Sequence, residues 1–407
     1  MKIIFLSNHN LHPISLSRPA FDIFCGATTL YQVCQHIFKE TKIDYLIDDY
    51  LMPTTQVKYP RHKAFDKKIL ILNASLIPSY THAQSLYQKI AARKTDQNYI
   101  LQHKQQTLGA LLNISNPAHI KKLTNSTIEK YLANFNCKKI NINWPSFNYL
   151  HQLITYNQEI LKDNLEFLKN SYRQLRPGVY VGKQVEIAKQ ISFNVNHGPI
   201  IIGDNTQIQS FACLQGPLYI GPNCLIKPGS QIQDSSIGPF SKVGGEIESS
   251  IIQGYSNKQH YGFLGHSYLG EWVNIAAGAI VSNLKNTYGH IKMQAQDTHQ
   301  QFLGCIIGDY SKVSVNTNIF AGKVIGINSL AYGNITNDIP NFTNAGSWLA
   351  NSVQVPLSVT LKTQKIIFQR RNKRQTPKDI NLLKTIYQLT AQERQQQKIA
   401  QGQILFI

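Results

Sequence analysis

The feature that most constrains this chain is a period of six. From Ile202 every sixth residue is apolar: Ile202, Ile208, Leu214, Ile220, Ile226 and Ile232. A second register runs through Phe263, Leu269, Ile275 and Val281, and a third through Ile307, Val313, Ile319 and Ile325. Val181, Ile187 and Phe193 mark an earlier start. A strand repeats every two residues and a helix every ~3.6, so neither sustains this period. A triangular coil does. Each hexad is a short strand plus a corner, its aliphatic residue points inward, and Gly, Asn or Asp takes corners that need positive φ. Glycine follows the apolar position at Gly203, Gly221, Gly270, Gly308 and Gly326. Three hexads close a coil and stacked coils pair in parallel, which implies a left-handed parallel β-helix over roughly residues 177–340.

The register breaks at roughly 238–262 and 282–306. Insertions in a solenoid are expected as surface loops, which often carry a binding site. The second contains Lys285-Asn286-Thr287-Tyr288-Gly289-His290, suited to reach a neighbouring subunit.

The flanks follow other rules. Apolar runs at Lys2–Leu6, Tyr45–Ile47 and Ile69–Leu72 alternate with helical stretches near 27–39 and 82–93, which predicts an α/β domain with a partly parallel sheet. Leu150, Leu153, Ile154, Leu161, Leu165 and Leu168 recur at helical spacing before the linker Arg176-Pro177-Gly178. Residues 358–373 read as a helix, and Thr376-Pro377-Lys378-Asp379 reads as the capped start of another. The expected domains are therefore 1–172, 173–340 and 341–407.

With 407 residues, 42% apolar and 15% charged, the chain is globular and of more than one domain. No apolar run approaches the roughly 18 residues a membrane helix needs, and Met1–Leu6 is too short for a signal peptide. The six cysteines form no CxxC pair, so reduced thiols and a cytoplasmic location are expected. The net charge of +19 fits either an anionic partner or a merely biased composition. The run Lys362, Lys365, Arg370, Arg371, Lys373 and Arg374, with no acid within it, is either a solvated face or a clamp for a phosphate-bearing ligand or another subunit.

The densest polar cluster lies at the first break: Ser256-Asn257-Lys258-Gln259-His260-Tyr261-Gly262-Phe263-Leu264-Gly265-His266-Ser267-Tyr268-Leu269-Gly270-Glu271-Trp272-Val273-Asn274. This stretch resembles the acetyltransferase half of the bifunctional N-acetylglucosamine-1-phosphate uridylyltransferase/glucosamine-1-phosphate acetyltransferase family, in a variant bacterial branch. The resemblance puts the catalytic histidine at His260 and substrate-binding asparagines at Asn274 and Asn283. The family's tyrosine is Phe263 here, its Gly-Ala-Gly-Thr turn is Ala276-Ala277-Gly278-Ala279, and an expected lysine falls on Glu248. Lys242 and Lys258 are candidates to replace that charge. At the N-terminus, Ser17-Arg18-Pro19, Gly26, Leu72-Asn73 and Leu76-Ile77-Pro78 resemble the branch's motifs, and Arg18 would contact a phosphate. The loop Ser7-Asn8-His9-Asn10 lacks the glycines that let a backbone cradle nucleotide phosphates, and Asn73-Ala74-Ser75 replaces the branch's Asn-Gly-Arg. The resemblance spans nearly the whole chain and is most specific over residues 237–340.

What this implies is an N-acetyltransferase that takes acetyl-CoA as co-substrate and glucosamine-1-phosphate as acceptor, within UDP-N-acetylglucosamine synthesis. A homotrimer is expected, with no membrane or nucleic-acid partner. The N-terminal domain would add nucleotidyl transfer from UTP or another NTP with Mg2+, or serve assembly alone. Histidine titrates near neutrality and suits the removal of an ammonium proton, so direct transfer without an acyl-enzyme is expected. The rivals are a nucleotidyltransferase with a trimerising β-helix, a non-catalytic scaffold, and a zinc hydratase whose His260, His266 and His290 meet between subunits.

Overall fold

The computed structural model describes residues 1–7, 11–62, 66–94, 96–114, 120, 123–349 and 351–402. The chain forms two compact units: Met1–Ile23 with Thr28–Leu150, and Phe24–Ala27 with His151–Ile407.

The first unit is the expected α/β domain. Its sheet runs in the order Lys42–Leu46, Lys2–Leu6, Lys68–Asn73, Gln106–Asn113, Asn98–His103, Cys137–Asn141. The first three strands are parallel, and Gln106–Asn113 pairs antiparallel with both its neighbours. Helix Leu30–Ile37 starts at a capping box between Thr29 and Gln32. The buried Asp44 carboxylate holds Lys2 at 2.8 Å and Arg61 at 2.6 Å.

The second unit opens with helix Gln152–Leu168, whose buried Asn157 and Asn164 hold the segment Phe24–Ala27. Asn157 Oδ1 accepts from the Gly26 N–H and the Ser236 hydroxyl, and Asn164 donates to the Gly26 carbonyl. Three parallel sheets of a β-helix follow, here called faces 1, 2 and 3. On face 1, Ile202, Ile220, Ile237, Ile252, Leu269, Ile307 and Ile325 form an inward column. Face 2 stacks Ile208, Ile226, Val243, Lys258, Ile275, Val313 and Ala331. Face 3 stacks Phe193, Leu214, Ile232, Ile247, Leu264, Val281, Ile319 and Ile335.

Three details of the sequence reading change. Residues 238–262 are no loop: the coils continue through Ile237, Val243, Ile247, Ile252 and Lys258 at uneven spacing, because corners there use fewer residues. Phe263 points outward and Leu264 takes the core position. The glycines that follow the apolar column do not supply positive φ. They sit where successive coils approach closely, and a Cβ on Gly308 would lie 2.8 Å from the Ile327 nitrogen. The break at 282–306 is a true insertion, since Leu269 pairs directly with Ile307.

The corner from face 1 to face 2 carries left-handed residues that are often aromatic: Phe240, Tyr255, Trp272 and Tyr310. Phe240 stacks on Tyr255 at 4.6 Å and Tyr255 on Trp272 at 4.5 Å. Each such pair contributes roughly 0.5–1.5 kcal/mol beyond burial, which offsets the backbone strain of a bulky left-handed residue. Phe368, from helix Leu357–Gln369, packs on Trp272 at 4.6 Å and so fixes that helix against the β-helix. Helix Pro377–Leu389 begins at the expected Thr376–Asp379 capping box.

Gly308→Ala should destabilise the protein by about 1–3 kcal/mol, since only backbone can yield around it. Gly229, left-handed with open space around it, should accept asparagine within about 0.5 kcal/mol, as Asn205, Asn223 and Asn316 already occupy such corners. Denaturant melts of the two variants check both expectations.

Candidate functional site

The motif's centre forms the corner between faces 2 and 3. Strand Asn257–Lys258 ends face 2, Gln259 to Gly262 turn the corner, and Phe263–Gly265 begins face 3. His260 and Tyr261 are exposed at the turn.

Lys258 occupies an inward position that aliphatic side chains take in the coils on either side, and it is 2% exposed. Its ammonium donates to the carbonyls of Gly244 at 3.0 Å, His260 at 2.8 Å and Gly262 at 2.9 Å. An ammonium has three donors, and all three are used. Lys258 therefore ties the His260 corner to the coil beneath it and does not reach outward to a substrate. Burial lowers its pKa to about 8, against the pull of Glu246.

The outer side of face 2 gathers other expected residues. Lys242, Asn257 and Asn274 are register partners in successive coils, and Asn257 Nδ2 approaches Asn274 Oδ1 at 3.4 Å. Arg371, just beyond the Phe368 anchor, donates to Asn257 Oδ1 at 2.7 Å. Lys242 is held below its ordinary range by burial and by the charges of Arg371, Arg370 and Lys227. Burial and Arg370 lower Arg371 in turn. Among the described residues, none of these four cations makes an ion pair. Lys373 instead lies 4.1 Å above the Tyr255 ring. Lys227 and Asn257 were not singled out from sequence, and only the acid-free basic run pointed to Arg370 and Arg371.

Face 3 has the opposite character. A groove of about 280 Å3 is lined by Asn194, Gln215, Gln231, Gln233, Glu246 and Glu248 among others. Glu246 pairs with Phe263, and Glu248 with Gly265. At the end of this face Asn283 lies against His266, with Nδ2 at 2.9 Å from Nδ1. In that orientation the amide donates and His266 Nδ1 accepts. Burial holds His266 below the ordinary histidine range, although Glu248 pulls the other way. His260, Lys242 and Asn274 thus share one corner and its adjoining face, while Asn283 is engaged with His266 on another. Among the described residues, His260, His266 and His290 do not assemble as metal ligands within one chain. In the other unit Arg18 is buried, and the loop residues Asn8, His9 and Asn10 lie outside the described residues.

The corner can do acid–base chemistry at an exposed imidazole, with cations on one side and amides and carboxylates on the other. Comparison with known proteins agrees in class. Residues 3–173 match the sugar nucleotidyl transferase family model, and residues 199–234 match the bacterial transferase hexapeptide model. The bifunctional protein GlmU of Heliobacterium modesticaldum is 27% identical over 182 residues, 35% of this chain and 37% of that protein. The GlmU of Synechococcus elongatus is 26% identical over 247 residues, 47% and 51% of the two chains. That of Synechococcus sp. strain CC9311 is 31% identical over 167 residues, 38% and 33%. The chain spans between about a third and about half the length of these curated relatives.

Buried lysines give this unit a pH signature. Lys258, lowered to about 8, and Lys312, lowered by burial to about 7, hold protons more weakly than an unfolded lysine near 10.5. Above about pH 7 the unfolded chain then binds more protons than the folded one, so stability rises with pH. The thiols of Cys224 and Cys305, pushed by burial up to about 12 from 9.0, act in the opposite sense above pH 9. The melting temperature should rise from about pH 7 to about 8.5 and rise less in Lys312→Met. A fall over that range in the unaltered protein would contradict the assignment.

Proposed function

We propose that this chain, a member of the GlmU-like bifunctional family, is an N-acyltransferase that moves an acetyl group from acetyl-CoA to the amine of an amino-sugar phosphate. The observation that carries the reading is the His260 corner, an exposed imidazole on a backbone turn that Lys258 holds with two hydrogen bonds and ties to the coil beneath with a third. We assign the chain to the variant branch on its central motif, Ser256-Asn257-Lys258-Gln259-His260 followed by Gly262 through Asn274.

The chemistry needs one base and one cleft. The acceptor's ammonium gives up a proton to reveal the attacking lone pair, and His260 takes it, which is worth roughly 10²–10⁴-fold. The amine attacks the thioester carbon, the C–S bond breaks, and the coenzyme A thiolate leaves to be protonated. An amide and a thiol result, with no enzyme-bound acyl group. Coenzyme A and a sugar phosphate both carry phosphates, and the face 2 cations Lys242, Lys227, Arg370 and Arg371 suit them. Asn274 on the same face is placed to orient such a ligand. Glucosamine-1-phosphate is the acceptor we propose, for UDP-N-acetylglucosamine synthesis in the cytoplasm, by a homotrimer whose subunits enclose the cleft.

The family match over residues 3–173 supports a second activity, transfer of a nucleotidyl group from UTP to a sugar-1-phosphate, with Arg18 near the phosphates. That reaction would need Mg2+. The buried carboxylates Asp22 and Asp44 are committed to Lys58 and Tyr59, and to Lys2 and Arg61, so they do not fit as its ligands. Absence of pyrophosphate release from UTP and sugar-1-phosphates would remove this second activity.

Thiol release from acetyl-CoA should require glucosamine-1-phosphate, and His260→Ala should lower kcat by about 10²–10⁴-fold with the fold intact. Release that is indifferent to the sugar, or to His260, would overturn the reading.

A further inference from the structure

We propose that His290, Asp297 and His299 form a divalent transition-metal site on the hairpin that interrupts the β-helix. This site is separate from the His260 corner and does not rest on the acyl-transfer reading.

The insertion is a built element. Lys292–Met293 pairs antiparallel with Gln296–Asp297. The Ile291 N–H donates to the Gln300 carbonyl at 2.8 Å, and the Thr298 N–H to the Ile291 carbonyl at 3.2 Å. Ile291, Met293 and Thr298 are buried, and a Cβ on Gly322 would lie 2.6 Å from Ile291 Cγ2, so one side of the hairpin packs on the coil above. Its other side carries the three candidate ligands, all exposed.

Cross-strand pairing sets the histidines facing each other, with ring centroids 5.6 Å apart. Both Nδ1 atoms lie 3.8 Å from Asp297 Oδ1. One ligand atom from each residue falls within 4.8 Å of the other two. Four-coordinate zinc, with bonds of ~2.0–2.1 Å, places its ligand atoms about 3.3 Å apart. All three side chains are exposed, so rotation about their side-chain bonds is the movement that metal binding would require. The His299 N–H donates to Asp297 Oδ1 at 2.8 Å, which orients the carboxylate and, ahead of the nearby charges, keeps its pKa below the ordinary value.

The donor set decides the metal class. Two imidazoles and one carboxylate suit zinc, cobalt, nickel or copper and not magnesium or calcium, which take oxygen ligands. Three protein ligands leave a position open to water, as in exchangeable sites. A simple surface ion cluster is the competing explanation, and it predicts no saturable metal binding.

The test is a Co2+ titration of the chelator-treated full chain, followed by visible d–d absorption and repeated with Zn2+ by calorimetry. One metal per chain is expected, with affinity weakened about tenfold or more in His290→Ala and in His299→Ala. The metal should raise the melting temperature of the unaltered chain and not of the His290→Ala/His299→Ala variant, whose metal-free melt is unchanged. No saturable binding below about a millimolar, or binding that the double variant keeps, would overturn the proposal.

Discussion

The inward columns of the three β-helix faces govern everything built on them. Each coil turns its side chains into a narrow interior, and its backbone must pair with the coils above and below. Aliphatic residues meet both demands by burial, as in the unbroken run from Ile208 through Val243 on face 2. A buried ammonium meets them only if hydrogen bonds repay its lost hydration, a cost of several kcal/mol in an apolar interior. Lys258 is tolerated because three carbonyls converge on it. Two of those belong to the turn that carries His260. The requirement of the interior thereby becomes the rigidity of a surface corner.

Two electrostatically different surfaces meet at that corner. Face 2 and the end of helix Leu357–Gln369 present cations that mutually lower one another's proton affinity. Such repulsion persists in a folded protein only when packing over-determines it. Here the packing is the aromatic stack from Phe240 to Trp272 and its Phe368 cap, which positions Arg370 and Arg371 whether or not an anion is bound. Face 3 presents amides and carboxylates instead. Under the proposed acyl transfer, the face 2 cations would draw the phosphates of the substrates and the face 3 carboxylates the ammonium of the acceptor, with His260 between them.

The repeat was legible because a period of six has no competing explanation, and the capped helix at Thr376 because its signals are local. What could not be read depended on the third dimension. Spacing alone could not show that the corners between Ile237 and Lys258 shorten, so a continuous stretch of coil looked like a loop. A further short corner, five residues from Leu264 to Leu269, makes a strict period of six place Phe263 inside where Leu264 is. Lys258 looked like a charge available to substrate because sequence does not reveal which carbonyls surround an inward position. Asn283 lies against His266, seventeen residues away in the chain, a contact that sequence spacing does not reveal. The basic run was visible, but its meeting with Lys242 rests on an aromatic contact between distant segments.

The most direct test is to separate the kinetic constants by face. Charge-neutralising variants Arg370→Gln and Arg371→Gln should raise KM for acetyl-CoA by about tenfold or more in a salt-sensitive way, with kcat nearly unchanged. Glu246→Gln should instead move the acceptor's KM. That division would establish His260 as the meeting point of two differently charged faces. Equal losses in kcat from all three variants, with neither KM moved, would contradict the account and return the cations to a structural role.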